Sequence, residues 1–74
     1  MRQAILFQDE DGRWVAEVPS LPGCVSQGDT RDDALHNLQE AAELWIETMQ
    51  EQGQPIPGDS GTLEIAPIRV AEAG

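Results

Sequence analysis

The sequence predicts an α+β domain, an antiparallel sheet in the order β-β-β-α-β with one amphipathic helix packed on one face. Three observations predict it. Short apolar runs separated by turn residues occupy residues 4–28. A capped segment with apolar residues every three or four positions follows. Beyond two prolines, Leu63 and Ile65 alternate with Glu64.

The first strand is the apolar stretch Ala4-Ile5-Leu6-Phe7, which ends in Asp9-Glu10-Asp11-Gly12. Asp11-Gly12 suits the positive φ angles of a tight hairpin turn. In Arg13-Trp14-Val15-Ala16-Glu17-Val18, the period of two puts Trp14, Ala16 and Val18 on one face and Val15 and Glu17 on the other. Pro19 has no N–H to donate and stops the ladder. Leu21-Pro22-Gly23-Cys24 has Pro and Gly at the central positions of a type II turn. Cys24-Val25-Ser26-Gln27 is a short third strand, broken by Gly28.

The helix is the best-defined element. Thr30 is its N-cap, and Asp32 and Asp33 lie in the first turn, where the helix dipole favours anions. Thr30 with Asp33 resembles a capping box, with Asp in the usual place of Glu. Ala34, Leu35, Leu38, Ala41, Ala42, Trp45 and Met49 form one apolar stripe, with Glu40, Glu43, Glu47 and Glu51 away from its centre. Gly53 terminates the helix, and Pro55 and Pro57 keep it from resuming. About 22 residues at a rise of 1.5 Å give a length near 33 Å. A fourth strand is predicted over residues 62–68, with Pro67 at its end or on a sheet edge.

At 74 residues the chain is too short to divide into two cores. Residues 1–69 are read as the domain and 70–74 as a mobile tail. A core of this size is marginal, and the sheet face away from the helix has no second helix to cover it. Val15 and Val25, with Ile5 or Phe7, would lie there. Self-association as a dimer or tetramer is therefore expected.

Fourteen carboxylates against four arginines give a formal net charge of −10. Such a surface repels nucleic-acid phosphates and anionic membranes and attracts basic partners. Direct nucleic-acid binding and membrane association are therefore not expected. Cys24 is the only cysteine, which rules out an intramolecular disulfide and fits a reducing compartment. No run is long enough for a signal-peptide core or a membrane span, so a cytoplasmic protein is expected.

The run Gly12-Arg13-Trp14-Val15-Ala16-Glu17-Val18-Pro19-Ser20-Leu21-Pro22-Gly23-Cys24, followed by Gly28-Asp29-Thr30, resembles the HicB-like antitoxin family. The helix start Ala34-Leu35-His36-Asn37-Leu38-Gln39-Glu40-Ala41 and the later Gly53-Gln54-Pro55-Ile56-Pro57 continue the resemblance, which spans residues 7–57. It implies a partial ribonuclease-H-like fold. It also implies an antitoxin of a type II toxin–antitoxin pair, masking a small basic HicA-like messenger-RNA ribonuclease. Many family members continue into a DNA-binding module. Here about six residues follow the fourth strand, too few for a useful helix, so autorepression by this chain alone is not expected. The alternative is an orphan homo-oligomer with a structural or other binding role.

No catalytic, cofactor or metal site is expected. Two-metal phosphoryl chemistry needs converging carboxylates, and ribonuclease H enzymes place one in the first strand, where this chain has Ala4-Ile5-Leu6-Phe7. His36 falls on the polar side of the helix, with no serine or cysteine placed to use it. Cys24 reads as a small half-buried residue, and Trp45 as core on the sheet. Leu44 sits about 120° from the centre of the stripe and reads as an exposed apolar group beside acids. The residues expected to contact a basic partner are Asp9, Glu10 and Asp11 on the hairpin, and Glu40, Glu43, Leu44 and Glu47 on the helix.

Overall fold

The computed structural model describes residues 1–59 and 63–72. It has strands β1 (Ile5–Gln8), β2 (Trp14–Glu17) and β3 (Val25–Gly28), then helix α1 (Arg31–Glu51). The sheet is antiparallel with β2 in the middle. The α+β class and the helix packed on one sheet face are as predicted.

The register separates the two faces. Leu6, Ala16 and Ser26 pair across the sheet, as do Gln8, Trp14 and Gly28, and this is the face that α1 covers. Ile5, Glu17 and Val25 pair on the other face, as do Phe7, Val15 and Gln27. The core is Ala16, Val18, Leu21, Cys24, Ala34 and Leu38. Leu6, Trp14, Ala41, Ala42, Trp45, Ile46 and Ile56 pack around it, partly buried.

The β1–β2 connection differs from the expected two-residue turn. Gly12 has a positive φ (82°), but Asp11 does not. The Asp9 N–H donates to the Arg13 carbonyl (2.9 Å) and the Gly12 N–H to the Asp9 carbonyl (3.0 Å), enclosing a three-residue loop closed by glycine. The Asp9 carboxylate holds it by accepting from the backbone N–H groups of Asp11 (3.0 Å) and Arg13 (2.9 Å). An aspartate at the loop entrance thus supplies the acceptor that a two-residue turn does not need.

The second turn is as predicted. Gly23 has φ 80°, and the Cys24 N–H donates to the Leu21 carbonyl (3.0 Å). The Val18 N–H donates to the Cys24 carbonyl (3.0 Å), so the chain on either side of the loop stays clamped up to Pro19. Leu21, at the loop's centre, is fully buried.

At the helix start, the Thr30 hydroxyl accepts from the Asp33 N–H (3.0 Å), the first half of the capping box. Gly28 has a role beyond ending β3. A Cβ there would stand 2.5 Å from the Ala34 nitrogen and 2.7 Å from the Asp33 Cβ, so its missing side chain lets α1 lie close on the sheet. The Asn37 side-chain amide donates to the Gln27 carbonyl (2.8 Å) and ties α1 to the β3 edge.

Two expectations are corrected. First, only Ala34 and Leu38 of the helical stripe are buried. Four-residue strands span about 13 Å, whereas 21 helical residues span about 32 Å. The second half of α1 therefore outruns the sheet. Trp45 packs on the Pro22 turn instead, its indole N–H donating to the Pro22 carbonyl (3.1 Å).

Second, among the described residues no strand follows α1. Of the predicted fourth strand, residues 60–62 lie outside the described residues, and 63–72 are irregular and exposed. Ile65 and Ile68 are 89 and 83% exposed, and no hydrogen bond joins residues 63–72 to the sheet. An isolated chain offers this segment no partner strand in the position it occupies.

Candidate protein-binding surfaces

Of the described residues, no three His, Cys, Asp or Glu side chains come together as a metal-binding group. No helix among them is long and apolar enough to cross a membrane. The buried nucleophile Cys24 is 4% exposed, more enclosed than the half-buried position expected. Burial pushes its thiol above the ordinary cysteine range, away from the reactive thiolate. His36 is exposed on α1, with its Nε2 3.4 Å from a Glu40 carboxylate oxygen one turn on. The features left to interpret are surfaces.

The residues expected to meet a partner fall into two groups. The hairpin tip lies at the end of the sheet where Trp14 pairs with Gly28, three residues before α1 begins. An ion pair between Arg13 and Asp29 (3.4 Å) holds the tip beside the start of the helix. Asp9 is committed there to its own loop, which leaves Glu10 and Asp11 as the outward acids. Glu40 and Glu47 lie about 13 and 24 Å along the helix axis from its first residue. The helix acids are therefore a separate surface from the hairpin.

On α1 the geometry brings the expected residues together. Glu40, Glu43 and Glu47 succeed one another at spacings of three and four, so their side chains neighbour along one ridge. Leu44 is four residues from Glu40 and 64% exposed, an apolar group within the acidic row. Gln39 donates from Nε2 to the Glu43 carboxylate (3.3 Å), and His36, Gln39, Glu40 and Glu43 line a shallow depression. No cation neutralises Glu43 or Glu47 among the described ion pairs.

A second surface is the outer sheet face, where Val15 and Val25, with Ile5 or Phe7, were expected to lie uncovered and to favour self-association. Phe7 and Val25 are 50 and 51% exposed there, with Ile5 and Val15 beside them partly exposed. The strand alternation contained this signal, since each of these residues has parity opposite to Ala16.

These features describe a small acidic α+β protein with an acidic ridge on its helix and an exposed apolar outer sheet face. Its family follows from comparison with known proteins. The chain belongs to the HicB-like antitoxins of bacterial toxin–antitoxin systems, whose family model matches residues 3–69.

Its relatives include a UPF0150 protein of Thermoplasma acidophilum, 45% identical over 56 residues (76% of this chain and 81% of that one). A UPF0150 protein of Synechocystis is 38% identical over 69 residues (93 and 92%). Another, of Helicobacter pylori, is 39% identical over 70 residues (95 and 94%). No solved structure matches the chain. Family membership gives this protein an antitoxin role.

Proposed function

We propose that the chain is the neutralising half of a type II toxin–antitoxin pair, and that it acts in the cytoplasm by binding and masking a small basic HicA-like ribonuclease. The observation that supports this reading, given the family, is the row of Glu40, Glu43 and Glu47, the last two without a cation partner among the described ion pairs, around exposed Leu44 on a chain of net charge −10. Opposite charge speeds encounter and sets register, while the desolvated apolar group slows dissociation. The inhibition is steric and electrostatic and needs no catalytic group or cofactor in this chain. The same charge disfavours direct contact with nucleic acid. Glu10 and Asp11 serve as an outlying contact beside the N-terminal end of α1.

Co-expression of the tagged chain with the basic reading frame nearest its gene tests this. A stoichiometric complex that silences RNA cleavage is expected. Glu40→Gln with Glu43→Gln and Glu47→Gln should weaken the complex roughly tenfold, at about 0.5 kcal/mol per exposed pair, with a shallower salt dependence. RNA cleavage untouched by the wild-type chain would reject the reading.

A further inference from the structure

The parts of the molecule that the antitoxin reading does not use are the segment after the helix and the free side of β1. Residues 63–70 expose Leu63, Ile65, Ile68 and Val70, at 40, 89, 83 and 58%. The radius of gyration is 14.6 Å, against about 11 Å for a compact chain of this length, an excess to which the long helix and this exposed segment both contribute.

On the body, β1 is an end strand of the sheet, with no strand on its outer side among the described residues. Beside it an open groove of about 530 Å³ runs between the chain entering β1 and the helix. Ala4, Val18, Leu35, Leu38 and Ala42 line it.

Segment and edge are complementary in three respects. In an extended conformation the period of two puts Leu63 and Ile65 on one face and Ile68 and Val70 on the other. A strand lying beside β1 needs apolar groups on both faces. One face would meet the groove at Leu35 and Leu38, and the other would extend the exposed Ile5–Phe7 face.

Pro67, which cannot donate to a ladder, is tolerated because an added strand becomes the new edge. The charges also agree. Residues 63–70 carry one glutamate and one arginine, and no acid lines the groove, which has Arg2 at its side. The contact thus joins the parts of two −10 chains that carry no net negative charge.

We propose that residues 63–70 of one copy of this chain add as a strand to the free β1 edge and adjoining groove of a second copy, reciprocally, in a two-fold strand-exchanged dimer. The missing fourth strand of the β-β-β-α-β order is then supplied in trans. Each chain contributes one segment and one edge, so the exchange closes at two copies and leaves no free β1 edge to recruit others. The inference stands apart from the antitoxin reading, because both halves of the contact belong to this chain.

Light scattering on the purified full chain, without any toxin, tests it. Twice the chain mass is expected. Ile65→Asp with Ile68→Asp should return the mass of a single chain with an unchanged far-ultraviolet helix signal, since both side chains are exposed on the separate chain. Leu44→Asp, an equally apolar exposed site on the helix, should leave the dimer intact.

A wild-type monomer would overturn the proposal, the segment then staying free or folding onto its own β1. A dimer that survives the double substitution, or one that Leu44→Asp dissociates, would overturn it too, by locating the contact on the outer sheet face or the helix.

Discussion

The two halves of α1 carry the same kind of apolar stripe but differ in what lies beneath them. Ala34 and Leu38 meet the sheet and are buried, at 0 and 3% exposure. Trp45 meets the Pro22 turn, Ile46 packs at the margin of the core and Met49 lies near the end of the helix; all three are only partly buried. The difference comes from length, since the strands are too short to support a helix of 21 residues. An amphipathic pattern therefore specifies which side of a helix faces inward, and the elements beneath it decide how much of that side is covered.

Substitutions along the stripe should reproduce this gradient. Leu38→Ala empties a site touched by both sheet and helix, and should cost about 2–5 kcal/mol. That is a large share of the stability of so small a domain. Ile46→Ala, a deletion of the same size at a partly buried position in the second half of the helix, should cost about half as much. Urea midpoints of the two variants measure the contrast, and equal losses would mean that the second half of the helix is as well supported as the first.

The next effect tests how closely α1 approaches the sheet. Gly28→Ala places a methyl group against the backbone of Asp33 and Ala34, where no flexible side chain can give way. Bringing the 2.5 Å approach out to ordinary contact requires helix and strand to separate by close to an ångström, at a cost of about 1–3 kcal/mol or more. Gly23→Ala meets no steric obstacle, yet has to hold φ at 80°, and should cost about 1 kcal/mol. Thermal unfolding that ranks Gly23→Ala as the more damaging would place the limiting constraint in the turn, away from the helix–sheet contact.

What could be read from the sequence follows the range of the interactions involved. Thr30 and the Leu21–Cys24 turn are set within four residues, and both form as the pattern implied. The hairpin depends on Asp9 reaching two backbone N–H groups, a side-chain choice that the Asp11-Gly12 signal alone does not reveal. The fourth strand failed for a longer-range reason. Leu63 and Ile65 alternate correctly, but alternation specifies a strand without naming the neighbour it pairs with. On the surface, Leu44 was legible from helical angle alone. The separation of the hairpin acids from Glu40, Glu43 and Glu47 was not, because it depends on which end of the sheet the helix starts from.

The smallest expected effect probes the supported region through Cys24. Burial raises the folded thiol's pKa above its value in the unfolded chain. Between those two pKa values the unfolded state has lost the proton while the folded state keeps it. The Cys24 contribution to stability should therefore be flat below the unfolded thiol's pKa and should fall as pH rises through the interval above it. Cys24→Ala would remove that alkaline decline while costing some packing at neutral pH. The same thiol reports opening of the core: a disulfide reagent should label it slowly in the wild type and faster in Leu38→Ala, with Ile46→Ala between them. Equal labelling rates in the three proteins would show that Cys24 is reached by a local fluctuation of the Pro22 turn and that opening there is independent of the helix.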